Sequence, residues 1–157
     1  MKKILLLFYC LTLLVSLKAQ VTTNPAIPTA NTAATVIFDA SGTALAGYTG
    51  DVYAHTGVTV EGVGRWQHVI GSWGNNTTQP KLTNVGTDLY ELVITPSIDE
   101  YYNVATGEVV TELCLVFRSA DANTQSSDIF VDVYQSGLAI AITSPTVQPY
   151  FVDASSD

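Results

Sequence analysis

Hydrophobic and polar positions alternate along most of this chain with a period of two. In Asp51–Val58, Val52 and Ala54 share one parity, and Tyr53 and His55 share the other. Successive strand side chains point to opposite faces, so His55 should face away from the core that Val52 and Ala54 help to form. Similar short runs occur at Thr35–Phe38, at Leu89–Ile94 before Thr95-Pro96, and at Glu108–Arg118, where Leu113, Leu115 and Phe117 alternate with Cys114 and Val116. Asp128–Tyr134 alternates Ile129, Val131 and Val133 with Phe130, Asp132 and Tyr134, and Leu138–Thr143 is the last run. Gly/Ser/Asn-rich connections such as Ser41–Thr43 and Ala120–Ser127 separate them. Six or seven such runs with no sustained helical period predict an all-β protein, an Ig-like antiparallel β-sandwich. A helical turn or two is expected around Ser97–Tyr102, packed by Tyr101 and Tyr102, with Phe38, Phe117 and Phe130 in the core.

The two ends follow other patterns. Met1-Lys2-Lys3, the apolar run Ile4–Val15 and a small residue, Ala19, before Gln20 predict a secretory signal peptide over residues 1–19. The run is shorter than the roughly 20 residues of a transmembrane helix. Cys10 lies inside it rather than after small residues at its end, which argues against a lipid anchor. Residues 20–32, with Pro25 and Pro28 among Thr and Asn, read as a linker or a first edge strand. The sandwich is assigned to 33–144. Residues 145–157 read as a linker and the start of a following domain, because Gln148-Pro149 precedes a hydrophobic restart at Tyr150–Val152. The expected location is secreted or at the cell surface.

Charge narrows the partners. The 157 residues are 47% hydrophobic and 13% charged, too apolar for a disordered chain. Removing the leader takes Lys2, Lys3 and Lys18 and leaves Arg65, Lys81 and Arg118, so three cations face fourteen acids for a formal charge of −11. Such a body is repelled by phosphate backbones and anionic lipid, so neither nucleic acid nor a membrane surface is an expected partner. Cys10 leaves with the leader, and Cys114 alone permits no intrachain disulfide and no thiolate metal cluster. A buried thiol is expected there.

Catalytic signals are weak. His55 and His68 fit no nucleophile arrangement, and Gly71-Ser72-Trp73-Gly74 lacks the spacing of a nucleophile elbow. Asp99 and Glu100 are adjacent, yet fourteen acids make such pairs unavoidable. Gly62-Val63-Gly64 lacks the third glycine of a phosphate cradle. Asp121, Asp128 and Asp132 lack calcium-loop spacing, although a structural calcium in Ala120–Ser127 stays open. No catalytic residue, resident metal or cofactor is expected.

Asp51–Tyr90 is the informative segment. It holds Tyr53, His55, Trp66, His68, Trp73, Lys81 and Tyr90, including both tryptophans, among glycines and asparagines that give large rings little local cover. A pyranose face is apolar and suits an aromatic surface, while its hydroxyls seek short polar partners such as Lys81, Asn75, Asn76 and Gln79. A neutral saccharide is also indifferent to a charge of −11. The plainer alternative makes one tryptophan a core residue of the sandwich, His55 a surface or core-edge residue, and Asn75–Thr78 a simple polar loop.

The run Asp51-Val52-Tyr53-Ala54-His55-Thr56-Gly57-Val58, with Trp66-Gln67-His68-Val69, Trp73-Gly74-Asn75, Asp88–Leu92 with Thr95-Pro96, Leu115–Asp121 and Asp128–Val131, resembles the N-terminal β-sandwich of secreted α-amylase-family glycoside hydrolases of Bacteroidota. More distantly it is similar to starch-binding carbohydrate-binding modules. The resemblance spans about Thr35–Thr143. It implies a shallow platform for α-1,4-glucan made by His55, Trp66 and Trp73, with Tyr53 beside them on the strand and Lys81 and Asn75 as hydroxyl partners. An acidic–asparagine stretch found near the end of some such modules has no counterpart here, where Ala120–Ser127 offers Asp121, Asn123 and Gln125. The expectation is a non-catalytic module that targets starch-like α-glucan, a polysaccharide or maltooligosaccharide, for a downstream catalytic domain of the same protein. The alternative is a structural Ig-like spacer or adhesion domain that binds no sugar.

Overall fold

The computed structural model describes residues 20–137; the predicted leader, the run Leu138–Thr143 and the tail beyond it lie outside the described residues. Eight strands are present among them: β1 (Val21–Asn24), β2 (Ala34–Asp39), β3 (Val52–Val60), β4 (Gly64–Gln67), β5 (Thr83–Gly86), β6 (Leu89–Ile94), β7 (Val110–Ser119) and β8 (Ile129–Asp132). They form two antiparallel sheets in the orders β1-β2-β6-β5 and β4-β3-β7-β8. These correspond to the ABED and C′CFG orders of an Ig-like sandwich.

The alternation in sequence explains how the sheets meet. On β3, Val52, Ala54, Thr56 and Val58 oppose Ser119, Phe117, Leu115 and Leu113 of β7, and all eight are buried. On β2, Ala34, Val36 and Phe38 are buried from the other side. Phe38 stacks on Phe117 with ring centroids 4.2 Å apart, which joins the two inner faces at the centre. Each side chain of this size contributes about 1.5–3 kcal/mol when fully buried. Between β6 and β7 runs the short helix α1 (Ile98–Tyr101), whose N-cap Ser97 accepts from the Glu100 amide at 3.1 Å. Tyr102 follows it into the core, and its hydroxyl shares a hydrogen bond of 2.5 Å with Thr56 Oγ1, satisfying a polar group that would otherwise be costly there.

The segment after β1 also touches the end of β8: Tyr134 N donates to Pro28 O and Ala30 N donates to Tyr134 O, a parallel bridge. β1 is therefore an edge strand tied into the sandwich.

The structure corrects the reading of Phe130. Pairing of Cys114 with Phe130 puts that ring on the outer face of the second sheet, while Ile129 and Val131 supply the inner positions opposite Leu115 and Leu113. Cys114 and Val116 also point outward, yet both are buried. Something covers that face.

Candidate functional site

The cover comes from β4 and from the excursion of the chain that follows it, between Gln67 and Pro80. β4 pairs with the second half of β3, at Val58 and Val60. The same edge of β3 is then held by Ile70 N donating to Thr56 O, and farther along by Ala54 N donating to Pro80 O and Leu82 N to Val52 O. Residues between these anchors loop outward. At the neck, Gly71 has φ +69°, and a Cβ there would lie 2.4 Å from the Thr78 carbonyl oxygen, so only glycine fits. Asn75 builds the tip: its Oδ1 accepts from Thr77 N at 3.0 Å and from Thr77 Oγ1 at 2.7 Å.

β4 enters through a bulge. From Val58 to Val60 on β3 the partner advances from Gln67 back to Gly64, one residue more than regular pairing allows. Trp66 adopts φ 63°, left-handed backbone that costs an L-residue roughly 1–2 kcal/mol. The irregularity puts Arg65 and Trp66, neighbours in sequence, on one face of the sheet. The Arg65 guanidinium carbon sits 3.5 Å from the Phe130 ring centroid, and its nitrogens grip both oxygens of Glu112 at 2.9 Å. Trp66 stacks on His55 of β3, centroids 5.2 Å apart, and meets Phe130 of β8 edge-on at 6.2 Å. The indole thus spans from His55, the partner of Val116, to Phe130, the partner of Cys114, over the outer face of β7.

Trp73 completes the cluster from the loop. Its ring meets His55 edge-on at 4.7 Å and 82°, and it remains 55% exposed. The expectation that both indoles lie bare holds for Trp73 only; Trp66 is partly buried, packed against His55 and Phe130.

Beneath the loop lies Arg118, 2% exposed, opposite Tyr53 on the outer face. It makes no ion pair among the described residues. Its Nε donates to Gln79 Oε1 at 2.7 Å, an Nη donates to Asn76 Oδ1, and the other reaches Ser119 O at 3.4 Å. Asn76 Nδ2 donates in turn to Ala120 O at 2.7 Å. Arg118 therefore clamps the Trp73-bearing loop to β7 at two points. Gln79 also bonds His55 Nδ1 at 2.9 Å. Burial, then the nearby Arg118 charge, holds the His55 imidazole below its ordinary pKa, with Asp128 opposing.

The remaining candidates have other duties. Lys81 pairs with Asp51 at 2.8 Å, so the expected hydroxyl partner is already committed to a carboxylate. Tyr53 is partly buried, next to His55 on the outer parity of β3, with the Arg118 guanidinium 5.8 Å from its ring centroid. Asn75 is exposed, and its amide nitrogen makes no hydrogen bond among the described residues. His68 turns away to donate to Glu108 at 2.7 Å. A separate cleft of about 410 Å³ opens beside Lys81, lined by Asp51, Val52, Leu82, Asn84 and Tyr90. Asp121 is held by Ser119 Oγ and Asn123. No three His, Cys, Asp or Glu side chains converge as metal ligands among the described residues. Nor is any helix there long and apolar enough to cross a membrane.

Sequence reasoning did not single out Arg118, Phe130, Arg65 or Glu112 for this face. Parity alone could have found three of them, since Glu112 and Arg118 share the outward parity of Cys114 and Val116, and Phe130 that of Asp128 and Asp132. Compared with models of known protein families and with curated proteins, the chain matches none.

Proposed function

We propose that this chain is a non-catalytic carbohydrate-binding module that holds starch-like α-glucan on the outer face of its second sheet and targets it for an attached, secreted α-amylase-type hydrolase. One observation carries the reading: Trp73 is a large apolar ring, 55% exposed, yet fixed edge-on against an imidazole that is itself stacked on Trp66. An exposed indole held by its neighbours loses little freedom on binding, which favours affinity. Such a ring suits the apolar face of a glucose unit, and Asn75 at the loop tip has an amide free to meet a hydroxyl. All three cations of the described residues are engaged internally, by Glu112, by Asp51 and by the amides around Arg118, which favours a neutral ligand over an anion.

A stacking ring contributes about 1–3 kcal/mol, so a single module should bind weakly and gain through avidity in a longer protein. In a native gel containing amylopectin, the wild-type chain should be retarded and Trp73→Ala should run as in a gel without polysaccharide, with its circular-dichroism spectrum unchanged. Equal retardation of both would refute the site.

The second reading, an Ig-like spacer or adhesion domain, is favoured by the structural service of Trp66 and Phe130 in covering β7. It leaves wild-type migration unaffected by amylopectin.

A further inference from the structure

Under the aromatic cluster runs a relay from Arg118 through Gln79 to His55. A guanidinium has donors only, so the Gln79 atom 2.7 Å from Arg118 Nε is the amide oxygen. That leaves the amide nitrogen facing His55 Nδ1 at 2.9 Å. An amide nitrogen is likewise a donor only, so Nδ1 must present its lone pair and the ring proton resides on Nε2. Protonating Nδ1 would set one N–H against another.

The second nitrogen is unspent. Nε2 has no hydrogen bond among the described residues, and no buried side-chain nitrogen or oxygen there lacks a partner, so Nε2 meets solvent. Trp66 covers one face of the same ring and Trp73 abuts it edge-on. The charged groups facing it are Arg118 on β7 and Asp128 ahead of β8. Arg65 on β4 is occupied by Glu112, and His68 of the loop by Glu108.

We propose that Gln79 and Arg118 are positioning residues that fix His55 as a neutral imidazole protonated on Nε2, and that this N–H donates to an acceptor oxygen of a saccharide resting on the Trp66–Trp73 cluster. The identity of the ligand rests on the glucan reading; the tautomer does not. A donor fixed in this way selects for a lone pair at that position of the sugar. It also disfavours a proton on Nδ1, so the protonation that would disrupt this geometry sets in at lower pH than for an ordinary histidine.

The test is ¹⁵N NMR of the imidazole nitrogens in the full chain at neutral pH, followed by titration with maltoheptaose while tryptophan emission is recorded on the same samples. The expected spectrum shows His55 Nδ1 unprotonated and Nε2 protonated, the Nε2 signal moving as sugar is added. Gln79→Glu replaces the donor by an acceptor, so His55 should carry a proton on Nδ1 and titrate at higher pH, and glucan retention should become pH-dependent. Gln79→Met, which removes the donor without adding charge, should leave a mixture of tautomers. A wild-type Nδ1 that carries the proton overturns the relay, with no variant needed. An Nε2 signal that stays still while tryptophan emission shifts overturns the donor role and leaves the glucan reading standing. Silence of both signals overturns the donor role and the glucan reading together.

Discussion

The imidazole of His55 and the indole of Trp66 lie nearly face to face, 5.2 Å between centroids and 27° from parallel. That contact joins β3 to its bulged neighbour β4 on the outer face of the sheet. Trp66 is therefore a structural ring with one useful edge, and Trp73 is the ring that water reaches. The two tryptophans should respond to substitution in opposite ways.

Trp66→Ala uncovers Cys114 and Val116 and removes contacts with His55 and Phe130, so it should cost about 2–4 kcal/mol, near the low end for large aromatic truncations. Trp73→Ala should cost less than about 1.5 kcal/mol, the scale of one aromatic edge contact. Urea midpoints measure both. A larger loss for Trp73→Ala would mean the loop ring, not Trp66, covers the sheet.

The thiol of Cys114 reports the same cover chemically. It is fully buried beneath the outer face, so labelling by a thiol reagent should be slow in the native protein and at least several-fold faster in Trp66→Ala. Equal rates in the two proteins would show that Trp66 does not shield β7.

Gly57 faces Cys114 across the β3–β7 pair, and a Cβ there would meet the Gln67 carbonyl at 2.7 Å and Val69 at 3.0 Å. Gly57→Ala should push the chain off β3 where the excursion begins, at a cost of about 1–3 kcal/mol by overpacking. Denaturant unfolding checks the loss, and an unchanged midpoint contradicts the close approach.

Acid should weaken the fold in two separate windows. The His55 pKa lies below its ordinary 6.5, so as pH falls through 6.5 the unfolded chain takes a proton that the native chain refuses. Its contribution is complete above that pH and is lost towards the lower native value. Glu112 follows the carboxylate rule: hydrogen bonds from Arg65, then Thr59, hold it below its ordinary 4.5, so its contribution is present above 4.5 and is lost as pH falls through the native value. The urea midpoint of the wild-type chain should fall between pH 7 and 5, and His55→Gln should flatten that portion while leaving the more acidic decline. An unaltered upper slope in His55→Gln would remove His55 as its source.

The sandwich was legible where strands are long and one face is buried. β2, β3, β6 and β7 announce themselves because Val36, Ala54, Leu92 and Leu115 recur at every second place with partly polar neighbours between them. β4 and β5 did not, since Gly64–Gln67 and Thr83–Gly86 are four-residue edge strands that bury almost nothing. Within the candidate site, the outward direction of His55 followed from parity. The division of labour between the tryptophans did not, because it depends on a bulge that places Arg65 and Trp66 on one face. Lys81 looked free because Asp51 is thirty positions away in sequence, yet Pro80–Leu82 pairs beside β3 and brings the two charges to 2.8 Å. Arg118 looked like the polar end of a strand; only the returning loop, with Asn76 and Gln79, turns it into a buried anchor.

The most direct measurement is a fluorescence titration of the isolated chain with maltoheptaose, run in parallel on Trp73→Ala. A saturable change in emission for the wild-type protein, lost in the variant, is the result that glucan seated on Trp73 requires. Flat emission from a folded wild-type chain up to millimolar sugar, with no retardation in amylopectin, would contradict it and leave the sandwich as a spacer.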